Sequence, residues 1–243
     1  MRLAERLAAV ALVCCCCAAW AARAQQQPPP GAPRATEEAP KKANSRPDAR
    51  QQQAPAEPFD KATVAQMSGQ CVRLETAAGL IEIEMLAEAA PESVRNFLNL
   101  VATGALDTTT FSRVVRGFVV QGGNLSTREK VTVEIAKRAR RTVPDEPNAV
   151  KHVRGVVSMA RSDEPNSATT HFFILVGEGS HLDGKFAAFG RVMRGMEAVD
   201  QMNAAELDGE TPKSPVRINR ATVAPCPAPA PQPSPAPQAT PRP

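Results

Sequence analysis

One stretch, Phe111 to Asn124 (Phe-Ser-Arg-Val-Val-Arg-Gly-Phe-Val-Val-Gln-Gly-Gly-Asn), constrains the fold more than any other part of the chain. Its Phe and Val residues suit a pleated, half-buried surface, and they fall in two short runs on either side of Arg116-Gly117. The stretch predicts two short strands joined at that dipeptide. Gly117 permits a sharp turn or bulge, and Gly122-Gly123 permits a strained exit or the close approach of a second backbone. Arg113 and Gln121 interrupt the apolar run and are too long and too polar for a plain core. In an isolated strand pair they would simply alternate outward to water, and the stretch alone leaves that reading open.

The surrounding sequence supplies further strands and two helices. Val72, Leu74 and Thr76 alternate with charged residues, Ala78-Gly79 turns the chain, and Leu80, Ile81, Ile83 and Met85 continue, which predicts a hairpin with one wet face. Pro91 stands at the preferred first position of a helix, with Glu92 beside the positive end of its dipole. Val94, Phe97, Leu98 and Val101 then form an i, i+3, i+4, i+7 stripe that Gly104 ends. A second, shorter helix is predicted over Gly195 to Met202 with Met196, Val199 and Met202 inward. Val216 to Val223 alternates as a closing strand. The region from Asn124 to Lys151 is the least legible. There Val131, Val133 and Ile135 alternate and a basic cluster follows (Lys137, Arg138, Arg140, Arg141), which predicts a solvated loop or strand edge.

Both ends read differently from this middle. Arg2 and Arg6, the apolar run Leu7 to Trp20 and Ala22-Arg23-Ala24 have the pattern of an export leader, 1–24, cleaved after Ala24. The run is shorter than the roughly 20 residues that span a bilayer, so no membrane association is expected after cleavage, and the location predicted is periplasmic or secreted. Cys14 to Cys17 lie inside the apolar run and read as filler. Residues 25–58 are a Gln/Pro/Ala-rich linker and 227–243 a Pro-rich tail; such compositions bury too little apolar surface to offset their ordering entropy. The ends hold most of the 23 prolines, which leaves one domain over 59–226. A formal charge of +4 is modest for 243 residues and gives no reason to expect a nucleic-acid partner.

A second block lies downstream: Gly155-Val-Val-Ser-Met-Ala-Arg161, Ser167-Ala-Thr-Thr-His-Phe-Phe-Ile174 and Leu182-Asp-Gly-Lys-Phe-Ala-Ala-Phe-Gly-Arg-Val192. In order and spacing, the two blocks resemble the cyclophilin family of peptidyl-prolyl cis-trans isomerases, and the resemblance covers Cys71 to about Cys226. It implies a mostly β fold, a closed eight-stranded antiparallel β-barrel capped by two α-helices. It also implies catalysis without metal or cofactor. An X-Pro bond resists rotation by roughly 18–20 kcal/mol because the nitrogen shares its lone pair with the carbonyl. Speeding that rotation needs an apolar pocket for the ring and a donor that prefers the twisted amide.

By motif, Arg113 matches the family's catalytic arginine, with Phe118 and Gln121 beside it. Val119, Ala160, Arg161, His171, Phe173, His181, Leu182 and Phe186 match substrate-binding positions, Ala160 and Arg161 through their main chain. The implied partners are proline-containing peptides and unfolded exported proteins, and a monomer is the default expectation. In the implied fold the first and last strands are antiparallel neighbours, so Cys71 and Cys226 should meet and form a disulfide. Five positions depart from the commonest pattern: Val119 stands for Met, Arg161 for Asn, His171 for Gln, His181 for Trp and Phe186 for His. The Trp position is where the family's cyclosporin ligand draws a hydrogen bond and packing area, so weak inhibition is implied.

Other readings carry less. His152, His171 and His181 have no recognisable metal spacing. A Ser-His-Asp hydrolase built on Ser112 or Ser158 lacks a nucleophile elbow. The alternative from another class is a catalytically weak peptide-binding chaperone or scaffold using the same groove.

Overall fold

The computed structural model describes residues 56–227; the predicted leader, most of the linker and the tail beyond Pro227 lie outside the described residues. Eight strands form one antiparallel sheet: β1 (Gln70–Thr76), β2 (Gly79–Met85), β3 (Arg113–Val115), β4 (Val119–Gly122), β5 (Val156–Met159), β6 (Phe172–Leu175), β7 (Ala188–Arg194) and β10 (Ile218–Pro225), in the order β10-β1-β2-β7-β5-β6-β4-β3. Strands β8 (Leu207–Asp208) and β9 (Thr211–Pro212) make a separate small hairpin. The helices are α1 (Val64–Ser68), α2 (Pro91–Ala102), α3 (Val133–Arg138) and α4 (Met196–Asn203).

The core forms where α2 packs against the curled sheet. The predicted stripe Val94, Phe97, Leu98 and Val101 is buried, and Phe97 meets the rings of Phe172 and Phe189 at centroid distances of 5.1 and 4.9 Å. Glu146 caps this helix from a distant loop. Its carboxylate accepts the Glu92 and Ser93 N–H groups at 2.9 and 2.7 Å, which satisfies two of the donors that a helix start leaves unpaired. At its other end Gly104, with φ +67, lets the Ala105 N–H turn back to the Leu100 carbonyl at 2.8 Å.

The expectation of a closed barrel needs one correction. The edge strands β3 and β10 share no ladder. They are joined ahead of β3, by the Thr110–Arg217 bridge, by the Phe111 N–H to the Val216 carbonyl at 2.9 Å, and by Ile218 at the start of β10, whose carbonyl accepts the Thr108 N–H and whose N–H bonds the Thr109 carbonyl, each at 2.8 Å. The reason is local: β3 is three residues long, and its free edge is taken by the β8–β9 turn, whose Glu210 carbonyl accepts the Val114 N–H at 2.8 Å. The described residues thus form a strongly curled eight-stranded sheet bridged at the seam.

A second correction concerns residues 131–138. Thr132 accepts the Ile135 N–H through its hydroxyl, Glu134 lies in the first turn and Lys137 and Arg138 in the last, so Val133–Arg138 is the helix α3, capped by Thr132, and not a strand edge. Nor is Arg138 solvated. It is 10% exposed and bonds the Glu57 carboxylate at 2.6 Å and the Asn96 side chain at 2.8 Å. Glu57 lies two residues inside the stretch read as linker, and Phe59 packs on the core with its N–H on Asn99 at 2.7 Å.

Candidate active site

The hairpin predicted at Arg116-Gly117 is present, with Gly117 at φ +68 in a three-residue loop between β3 and β4. Beyond β4, Gly123 has φ +83, and a Cβ there would lie 2.1 Å from the Thr170 carbonyl, so the chain exit needs a residue without a side chain. These two glycines fix the register on which the site depends. Arg113 pairs with Gln121 across β3–β4, Gln121 with Phe173 across β4–β6, and Phe173 with Ser158 across β6–β5. Because alternate residues of a strand share a face, the four side chains form one row. The opposite faces of these strands carry Val120, Phe172, Ile174 and Val157 into the main core.

On the row's side a smaller apolar cluster forms from Val119, Val156, Phe173, Leu175, Leu182 and Ala188, with Phe118, Ala160 and Phe186 packed on it. Strands β5 and β6 are therefore buried on both faces, which explains their unbroken apolar runs. Between cluster and row lies an open groove of about 180 Å³, lined by Arg113, Phe118, Val119, Gln121, Ala160, Arg161, Phe173, Leu182 and Phe186. All nine are residues that the resemblance singles out. Arg113 reaches over the apolar floor with its side chain 45% exposed, donating from a terminal nitrogen to Gln121 Oε1 at 3.2 Å and from Nε to Glu210 Oε2 at 2.7 Å.

Arg161 also lines the groove and packs its side chain on an aromatic ring. Its guanidinium lies 5.0 Å above the Phe186 ring, which meets Phe173 edge-on at 6.0 Å. The arginine thus steadies the aromatic wall by a cation–π contact. The two histidines are placed differently. His181 is exposed and tilts against Phe118 at 5.2 Å, on the rim and not in the lining. His171 is half-buried outside the lining, its carbonyl accepting the Ala160 N–H at 3.0 Å, and burial lowers its pKa so that the ring stays neutral near pH 7.

Ser158, weighed above as a nucleophile, does sit in a Ser-His-Asp chain. Its Oγ is 2.9 Å from His152 Nε2, and His152 Nδ1 is 3.2 Å from Asp183 Oδ1. Yet Ser158 is fully buried and His152 is 1% exposed, so no substrate reaches the hydroxyl. What the chain does is anchor a loop: Asp183 also accepts the His152 N–H at 2.8 Å and pairs with Lys151 at 3.1 Å, holding the segment that presents Leu182 and Phe186. Burial lowers the pKa of His152 against the opposing pull of Asp183, and the His152 N–H and Lys151 lower that of Asp183. Among the described residues no group of three or more His, Cys, Asp or Glu side chains is gathered as a metal site. The residues that sequence reasoning missed are Glu210 and the His152–Asp183 anchor. Asp183 stood within the quoted Leu182-Asp-Gly-Lys motif, whereas nothing in the sequence pointed to Glu210.

Strands β1 and β10 pair from Gln70–Pro225 onward, and Cys71 and Cys226 are bonded with Cα atoms 4.8 Å apart.

Comparison with known proteins agrees with this geometry. Residues 71–223 match the family described as cyclophilin type peptidyl-prolyl cis-trans isomerase/CLD. The chain is 36% identical over 164 residues to peptidyl-prolyl cis-trans isomerase A of Dickeya dadantii, covering 63% of this chain and 83% of the relative. It is likewise 36% identical over 158 residues to the isomerase cypE of Dictyostelium discoideum, covering 64% of this chain and 99% of the relative. Among solved structures it is similar to a cyclophilin-type isomerase of Cryptosporidium parvum, in a crystal structure with the dipeptide Ala-Pro, at a TM-score of 0.56 and 28% identity over 63% of this chain and 98% of that one. With the family match spanning more than half of its length, this chain belongs to the cyclophilin-type peptidyl-prolyl cis-trans isomerases.

Proposed function

We propose that this protein accelerates cis-trans rotation about X-Pro bonds in exported proteins, using Arg113 to stabilise the twisted amide. The observation that carries the proposal is the registered row Arg113–Gln121–Phe173 bordering an apolar groove. The Ala-Pro dipeptide with the Cryptosporidium relative supports a proline-containing ligand for the same groove here.

In the planar amide the proline nitrogen is a poor acceptor. As the bond twists, its lone pair localises and the nitrogen becomes pyramidal and basic. Phe118, Val119, Phe173, Leu182 and Phe186 offer the ring an apolar seat from which water is displaced, while the guanidinium above it donates to the substrate's carbonyl and the pyramidal nitrogen. The donor gains more from the twisted state than from either planar one, which is the condition for lowering the barrier. Gln121 holds one arm of the guanidinium in place. Since the Ala160 N–H is already given to His171, pairing with the peptide ahead of proline falls to the Ala160 carbonyl and the Arg161 main chain.

Export is supported by the leader pattern at 1–24 and by the Cys71–Cys226 bond, a linkage that persists in oxidising compartments. The test of location is the N-terminal mass of protein recovered from outside the cytoplasm: cleavage after Ala24 is expected, and an intact leader on cytoplasmic protein refutes it. The test of activity is turnover of an Ala-Pro peptide by wild type and Arg113→Ala. Peptide bound without turnover would replace this reading by a binding module.

A further inference from the structure

The arginine expected to do the chemistry sits on a three-residue edge strand with its side chain 45% exposed. An arginine so placed has many rotamers, and a transition-state donor is effective only when its orientation is set beforehand. Gln121 fixes one terminal nitrogen at 3.2 Å. The second fixed point comes from a part of the chain 97 residues away, where Glu210 Oε2 accepts the Nε–H at 2.7 Å.

Glu210 is itself held in place. It occupies the turn between β8 and β9 beside Gly209, which has φ +61, and its carbonyl accepts the N–H of Val114, the neighbour of Arg113, at 2.8 Å. The segment leading to this turn is clamped to the same hairpin. The Asn203 side chain donates to the Val115 carbonyl at 3.0 Å and accepts the Gly117 N–H at 2.9 Å, and Arg116 donates to the Ala205 carbonyl at 2.7 Å. Backbone and carboxylate of one residue thus reach adjacent positions of β3. With the carboxylate 54% exposed, the ion pair contributes little to stability, so its consequence lies in the orientation it imposes.

We propose that Glu210 is a positioning residue for the isomerisation. It pins Nε of the Arg113 guanidinium while Gln121 pins one terminal nitrogen, and the second terminal nitrogen is left to face the peptide. The inference rests on the assignment of Arg113 as the donor, and the experiment separates the two.

Turnover of an Ala-Pro peptide is measured for the purified chain as wild type, Glu210→Ala, Glu210→Gln, Arg113→Ala and the Arg113→Ala/Glu210→Ala double variant, with a thermal midpoint for each. A misplacement of about 1 Å can cost on the order of a hundredfold, so loosening one of two fixed points is expected to lower kcat about tenfold in Glu210→Ala. KM should change by less than about twofold and the midpoint should stay near wild type, because an exposed pair adds little to stability. Glu210→Gln, whose amide oxygen still accepts from Nε–H, should recover most of the rate, and Glu210→Ala should have no further effect once Arg113 is gone. A kcat for Glu210→Ala equal to or above wild type, or the same fold loss in the Arg113→Ala background, overturns the proposal while leaving the assignment of Arg113 intact. A wild type without turnover overturns both.

Discussion

Replacing Cys226 by Ser should destabilise the domain strongly while leaving its groove in place. In the folded state the bond joins strands that the β1–β10 ladder already holds together, so most of its effect falls on the unfolded chain. With a sequence separation of 155, the chain-entropy relation gives an upper value of about 5 kcal/mol at 25 °C. Small domains are stable by about 5–15 kcal/mol in total, so a third or more of the stability is at stake. In a domain of this size 1 kcal/mol moves the thermal midpoint by roughly 2–4 °C, so a fall of up to roughly 10–20 °C is expected. Cys226→Ser is the better variant because Cys71 is 2% exposed, and its thiol can remain as a small buried apolar group. Urea unfolding of oxidised wild type, reduced wild type and Cys226→Ser should give a lower midpoint for the last two. Their m value should also be larger, since an unfolded chain without the cross-link exposes more surface. Coincident curves for all three, or two titratable thiols in unreduced wild type, would refute the reasoning.

Three further outcomes follow from the structure. His152 and His171 have folded pKa values lowered chiefly by burial, so the folded protein binds fewer protons than the unfolded one once pH falls below about 6.5. The stability from keeping these rings neutral is complete above that pH and is lost as pH falls toward the folded values, and urea midpoints unchanged between pH 7.5 and 5 would contradict it. Glu146→Ala removes the acceptor for the first donors of α2 and should cost about 1–2 kcal/mol, read as a lower urea midpoint with unchanged turnover. Cyclosporin should inhibit weakly because His181 stands on the rim against Phe118, and His181→Trp should tighten inhibition; tight inhibition of wild type would show that the rim position matters less than its place suggests.

What could be read from the sequence was what local chemistry encodes. The β3–β4 hairpin follows from its β-branched runs and Gly117, and α2 from Pro91 and its apolar stripe, whereas the nine groove residues were named only through the resemblance to the cyclophilin family. The illegible parts are those in which a side chain works far from its own segment. Glu146 caps α2 across 53 residues, Glu57 neutralises Arg138 across 81, and Glu210 reaches Arg113 across 97. No periodicity announces such partners. At 131–138 a period-two pattern competed with a Thr132 cap and complementary end charges, and the cap decided the structure. The unclosed seam was equally hidden, because it depends on a two-residue turn occupying the edge of β3.

The central claim is that Arg113, aimed over an apolar groove, speeds rotation about the X-Pro bond. The most direct test is the isomerisation rate of a short Ala-Pro peptide with wild type and with Arg113→Ala, together with peptide affinity for each. The account predicts fast turnover by wild type and a loss on the order of a hundredfold in the variant, the scale on which removing one preorganised donor acts, with the peptide still bound. Equal rates for the two proteins would contradict it.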